Sequence, residues 1–139
     1  LERVTDWHLD AFVDMPGMIR DKELLRQYLC TADACVSPEP LTPLNNRSTF
    51  IKIGEYMAMG KPVVAYNLEE SRRTAQEAAL YVAPGNPEAF GQAIVTLLDN
   101  PELRCRMGAM GRQRILDKLS WEHQQQNLLR AYALALGRA

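Results

Sequence analysis

The sequence predicts an α/β fold: a parallel sheet flanked by helices, followed by an all-helical C-terminal tail. Three observations carry that prediction. Short β-type runs alternate with helical patterns as far as Ala83, the order that builds βαβ units. After Ala83 every pattern is helical. Composition is ordinary for a globular domain, 47% hydrophobic and 24% charged over 139 residues, enough chain to bury a core.

The elements follow in order. Residues Leu1 to Asp10 read as the end of a helix belonging to an earlier βα unit. Since residue 1 is Leu and starts mid-pattern, the chain reads as one domain, residues 1–139, truncated from something longer. Ala11–Met15 reads as a strand. Asp21 caps a helix reaching Thr31, with Leu24, Leu25, Tyr28 and Leu29 at helical spacing. Ala34–Pro38 is the next strand. Ser48–Met59 is a helix closed by Gly60 at C′ with Pro62 beyond it. Pro62–Tyr66 and Ala79–Ala83 are strands, and Ser71–Ala78 is a shorter helix between them. Right-handed crossovers would put helices on both faces.

In the tail, Asn86-Pro87-Glu88 and Asn100-Pro101-Glu102 are one start signal used twice. Asn caps, Pro fits N1, where no N–H is needed, and Glu complements the dipole. The first helix turns Phe90, Ile94 and Leu97 inward, and the second Leu103, Met107 and Met110. Ser120 caps a last helix with Trp121, Leu128, Leu129, Tyr132 and Leu136 on one stripe. Gly108-Ala109-Met110-Gly111 lies within a helical pattern and marks close packing.

Charge and cysteine content exclude several classes. Sixteen Lys+Arg against seventeen Asp+Glu leave a net charge of -1, against a nucleic-acid partner bound through one basic face. No apolar run approaches the ~20 residues of a transmembrane segment, and no signal peptide is visible. Cys30, Cys35 and Cys105 are odd in number and lack CxxC spacing. They read as buried reduced thiols in a cytoplasmic protein, not a disulfide or zinc framework. His8 and His123 read as structural or solvated, Asp33 as a turn residue, and the methionines as core filler. No GxGxxG phosphate turn is present.

Ligands of open α/β sheets bind beyond the carboxyl ends of the strands. Two loops there stand out. One is Pro16-Gly17-Met18-Ile19-Arg20. The other, residues 38–49, holds three prolines and two asparagines and ends in Asn46-Arg47-Ser48-Thr49 at a helix start. First-turn N–H groups and the helix dipole make that end a good anion site. Arg47 would add a fork for phosphate oxygens, and Ser48 and Thr49 hydroxyl donors. The plainer alternative is that Asn46 or Ser48 is only the N-cap and Arg47 is solvated. Phe50, Ile53 and Met57 form the apolar face of this helix. Ser48, Lys52 and Glu55 form a polar stripe running about 10 Å from the tip, unless Lys52 and Glu55 are merely a solvent-facing pair. A nucleoside-diphosphate sugar has the matching shape.

From Arg47 through Ala65 the chain resembles the C-terminal, donor-binding domain of GT-B-fold glycosyltransferases, in their group 1 (family 4) retaining class, whose sheet is Rossmann-like. Glu55-Tyr56-Met57-Ala58-Met59-Gly60-Lys61-Pro62-Val63-Val64-Ala65 is the most specific stretch. Phe12–Gly17, Leu25–Tyr28 with Thr31-Ala32-Asp33, Ser37-Pro38, both Asn-Pro-Glu signals and Ser120-Trp121 stand at similar places. The likeness covers roughly residues 12–136.

The resemblance implies donor-binding residues. The second Glu of the family's Glu-x7-Glu motif, which contacts donor ribose hydroxyls, falls on Glu55. The first falls on Arg47, a departure that favours an anionic group there. Backbone approaching sugar and diphosphate falls on Ser48 to Phe50, diphosphate-facing amides on Ile51 and Lys52, and the nucleobase border on Gly17, Met18 and Ile19. No catalytic residue is assigned, and no metal or other cofactor is implied. Implied partners are a nucleoside-diphosphate sugar and an N-terminal acceptor domain missing from this chain. The chain alone would not catalyse transfer, and membrane association would come only through the absent domain. Two alternatives stand beside this: a non-catalytic α/β interaction module, and an epimerase or phosphorylase of the same fold.

Overall fold

A computed structural model describes residues 2–137; Leu1, in the first expected helix, lies outside them. The chain forms two compact units, one ending at Cys30 and the other starting at Thr31.

The first unit holds α1 (Glu2–Asp6) and α2 (Lys22–Thr31), which runs to the boundary. Asp21 caps α2 as expected: its Oδ1 accepts from the amides of Glu23 at 2.8 Å and Leu24 at 3.3 Å. The expected strand Ala11–Met15 does not form. Leu9 carbonyl accepts from both Phe12 and Val13 amides, which winds the chain into a turn where a strand would begin. Residues 11–15 pair with no strand among the described residues, and an unpaired strand leaves its backbone groups unsatisfied.

The second unit is built on β1 (Cys35–Ser37), β2 (Val63–Tyr66) and β3 (Ala79–Val82), all parallel in the order β1-β2-β3. The sheet therefore has three strands, not four. Its register pairs Cys35 with Val63 and Val63 with Ala79. Alternation along the strands divides the core. Val63, Ala65 and Ala79 pack with Ile53 and Met57 of α4 (Ile51–Ala58), Ala75 of α5 (Glu69–Ala75) and Ala78. Val64 and Val82 pack on the other face with Phe90 and Leu97 of α6 (Pro87–Leu98) and Met107 of α7 (Pro101–Arg114). Between β1 and α4 lies a short helix, α3 (Pro43–Asn46), that the periodicity did not reveal. Helix α8 (Trp121–Ala135) closes the chain.

Both Asn-Pro-Glu signals work as expected. Asn86 Oδ1 accepts from Ala89 N at 2.9 Å, and Asn100 Oδ1 from Leu103 N at 2.8 Å. Ser120 differs: its side chain makes no capping bond, and its hydroxyl instead bonds Glu122 and lowers that carboxyl's pKa. Met110 and Met18 are exposed, not core, and so are Cys30 and Cys105. His123 has the structural role expected, its Nε2 lying 2.9 Å from Leu116 carbonyl.

The closest helix packing uses the expected glycine pair. A Cβ at Gly108 would lie 2.0 Å from Gly60 carbonyl oxygen, and one at Gly111 would lie 2.9 Å from Ala78 Cβ. Gly60 itself, at φ +67°, closes α4 in a Schellman turn: its amide and that of Lys61 donate to Met57 and Tyr56 carbonyls. Backbone cannot yield as a side chain can, so Gly108→Ala should cost about 3 kcal/mol in urea unfolding. Gly111→Ala, which meets only side chains, should cost less.

Gln76 ends α5 at φ 47°, ψ -122°, a region that strains any residue with a Cβ. Tyr81 hydroxyl donates to its carbonyl at 2.9 Å and helps hold it there. Strain relief outweighs the added freedom of the unfolded chain, so Gln76→Gly should stabilise the fold by about 1 kcal/mol.

Candidate functional site at the carboxyl edge of the sheet

Loop residues 38–50 leave β1 and deliver the chain to α4. Their conformation is set locally. Thr42 Oγ1 accepts from Asn45 N at 3.0 Å, capping α3, and Pro43 occupies its first turn. Asn45 Nδ2 donates to Pro40 carbonyl at 2.9 Å, folding the loop on itself. Asn46 Oδ1 accepts from Glu69 N at 3.0 Å, tying the loop to the start of α5.

Helix α4 starts at Ile51, not Ser48. Phe50 is its N-cap and makes no side-chain capping bond. The amides of Ile51 and Lys52 thus have no intrahelical acceptor, while Ile53 N is turned back to Phe50 carbonyl at 3.0 Å. Neither Asn46 nor Ser48 caps α4. Of the polar stripe only Lys52 and Glu55 lie in helix, about 4.5 Å of rise apart.

The expected site residues are distributed as follows. Arg47 ends α3 and is exposed, and no hydrogen bond or ion pair engages its side chain among the described residues. Ser48 Oγ donates to Leu44 carbonyl at 2.7 Å and Thr49 Oγ1 to Glu70 Oε2 at 3.2 Å. Both hydroxyl protons are committed within the fold, leaving oxygen lone pairs to offer. Ile51 is exposed, Lys52 half-buried, and Glu55 exposed one turn along. Gly17 (φ +74°), Met18 and Ile19 belong to the first unit, on an irregular stretch before α2. Gly17 and Met18 are exposed and Ile19 is half-buried.

One functional group escaped the sequence. Glu39, at the exit of β1, forms an ion pair with Lys52 and accepts from the buried Ser37 hydroxyl. Lys52 therefore pairs with Glu39, not with Glu55. Burial pushes the Glu39 carboxyl up, but the bonds from Lys52 and Ser37 outweigh it and hold the pKa below the usual carboxylate range. Nothing in spacing marks this pair, since it joins two ends of a loop of undetermined path.

On the same edge, a cavity of about 500 Å³ is lined by Pro38, Pro40, Leu41, Tyr66, Pro84 and Gly85. It contains no charged side chain. The Tyr66 ring is braced edge-on by Phe90, centroids 4.9 Å apart. Cys35, the first residue of β1, is buried, and burial pushes its thiol up to about 11, against the nearby Lys61 charge.

The edge therefore combines bare amides and a free guanidinium, a carboxylate one turn along the helix, and an uncharged recess. Against that geometry, a family model described as glycosyl transferases group 1 matches residues 1–100. The chain belongs to the group 1 glycosyltransferases. No curated protein matches it. Among solved structures, this glycosyltransferase chain is similar to sucrose-phosphate synthase from Thermosynechococcus elongatus, at 27% identity and a TM-score of 0.82. The match covers 99% of this chain and 34% of that one, so the chain spans about a third of the relative's length. The likeness agrees with the observed parallel sheet, flanking helices and helical tail of a GT-B domain. No described helix is long and apolar enough to cross a membrane.

The Glu39 pair sets a pH dependence. A carboxyl whose folded pKa is lowered adds stability above its unfolded value, about 4.3, and loses it as pH falls through the folded value. Urea unfolding from pH 6 to 3 should show stability falling below about pH 4, with a shallower fall in Glu39→Gln.

Proposed function

We propose that this chain is the donor-binding part of a retaining glycosyltransferase that moves a sugar, of hexosyl type, from a nucleoside-diphosphate sugar to an acceptor. The observation that carries it is the pair of bare Ile51 and Lys52 amides at the start of α4, with the exposed, unengaged Arg47 four residues before Ile51 in the same loop. Family membership and a sucrose-phosphate synthase as structural relative support sugar transfer.

The chemistry is electrostatic. As the bond from sugar to diphosphate breaks, negative charge grows on the leaving oxygens. Fixed N–H dipoles stabilise it at little cost in reorganisation, and the exposed Arg47 guanidinium turns toward it and adds its charge. Glu55 accepts from ribose hydroxyls. Lys52 brings its ammonium to the same tip with one N–H engaged by Glu39. No metal is required, and the acceptor domain is supplied by chain outside these residues. We place the enzyme in the cytoplasm.

One observation favours a second reading, a non-catalytic interaction module. Helix α8 leaves Trp121, Leu129 and Tyr132 at least 60% exposed, a stripe suited to a protein surface.

Thermal unfolding with UDP-, GDP- and ADP-sugars separates the two. In the full-length protein, one base should stabilise selectively, by about 2.7 kcal/mol at 100 times Kd. Glu55→Ala should abolish the effect. Indifference to every donor, or an unchanged response in Glu55→Ala, would favour the interaction module.

A further inference from the structure

A cavity of about 330 Å³ lies at the amino edge of the sheet, where α5 gives way to β3 and α7 ends. The carboxyl edge and the reading above make no use of it. Two departures from regular backbone line it. One is Gln76, held at positive φ. The other is the π-helical turn Ile115–Leu119, which contributes Asp117 and Lys118. Strained residues and π turns gather at ligand sites. The turn is firmly made: Ser120 N donates to Ile115 carbonyl at 2.8 Å and Gln124 Nε2 to Lys118 carbonyl at 2.9 Å. Its shape is therefore part of the fold and not fraying between helices.

The lining narrows the ligand. Glu77 and Asp117 balance Arg114 and Lys118 in charge, so no ion is favoured. Arg114 is held in place, because its Nε and Nη2 donate to Thr74 and Arg73 carbonyls, both at 2.9 Å. What remains are the two carboxylates, the Gln76 carboxamide and the Lys118 ammonium, acceptors and donors that bond neighbouring hydroxyls. Asp117 is held for that purpose, its Oδ1 accepting from Gln113 Nε2 at 2.8 Å while Oδ2 stays open. Ala75, Ala78 and Met110 offer an apolar wall for ring C–H groups. The volume is at the lower end for small-molecule sites, room for one ring and not for a nucleotide.

We propose that this cavity binds a small uncharged polyol, with a single sugar ring the fitting size. Saturation-transfer NMR and calorimetry on the full-length protein would use D-glucose, D-mannose and sucrose as probes, with D-glucuronate as the charged comparison. At least one neutral sugar should bind saturably and better than glucuronate. Asp117→Ala should weaken it about tenfold by removing a hydrogen-bonding carboxylate. Gln76→Gly should raise Tm while weakening the sugar, the pattern of strain kept for binding. Glu55→Ala should leave this binding intact. The proposal is overturned if no neutral probe saturates, if glucuronate binds as well, or if Asp117→Ala and Gln76→Gly bind normally. Loss of sugar binding in Glu55→Ala would also overturn it, by assigning the sugar to the carboxyl edge.

Discussion

The second unit depends on one backbone contact, the approach of Gly108 in α7 to Gly60 at the end of α4. With no Cβ at position 108, α7 lies directly against the Gly60 carbonyl. Gly111 repeats the device one turn later against Ala78 and Met57. Arg112 Nη1 then donates to Ala58 carbonyl at 2.6 Å, satisfying one of the orphan acceptors at α4's end. These contacts anchor the C-terminus of α4, and Ile53 and Met57 bury its face against β2. A helix gripped so firmly at one end has little freedom at the other. The bare amides at its N-terminus are thereby aimed from the far side of the domain.

Charge at the carboxyl edge is arranged with similar economy. Lys52 would be a mobile cation on a long stem, but Glu39 holds it, and Ser37 holds Glu39 from inside the strand. A half-buried pair of this kind adds little net stability; its effect is to fix position. The prolines at 38, 40 and 43 stiffen the loop, and Asn46 ties it to α5. Donors that do not have to reorganise stabilise developing charge best. The other edge of the sheet, with the strained Gln76 and the π turn, is stiff by different means.

Much of this was legible in the sequence because it rests on local grammar. Asn86, Asn100 and Asp21 cap the helices they precede, since capping needs only a short side chain and the next turn. Gly60 and the Gly108/Gly111 pair were readable because glycine inside or just after a helix has few other uses. The strands β1 to β3 stood out as apolar runs between helices. What failed depended on partners. Residues 11–15 have strand composition, but a strand exists only when paired. Ser48 looked like an N-cap, yet α3, announced by Thr42-Pro43, uses Leu44 carbonyl to claim its hydroxyl. Lys52 was placed on the right face, but its choice of Glu39 over Glu55 follows from the path of a long loop. Met110 has core chemistry and an exposed position, because the glycines beside it, not the methionine, make the close contact.

We propose that a diphosphate sits on the amino end of α4. A crystal structure of the full-length protein with a nucleoside diphosphate tests it most directly. Phosphate oxygens should accept from the Ile51 and Lys52 amides, with Arg47 turned toward them and the ribose at Glu55. A diphosphate bound elsewhere, with these amides still facing solvent, would contradict the account.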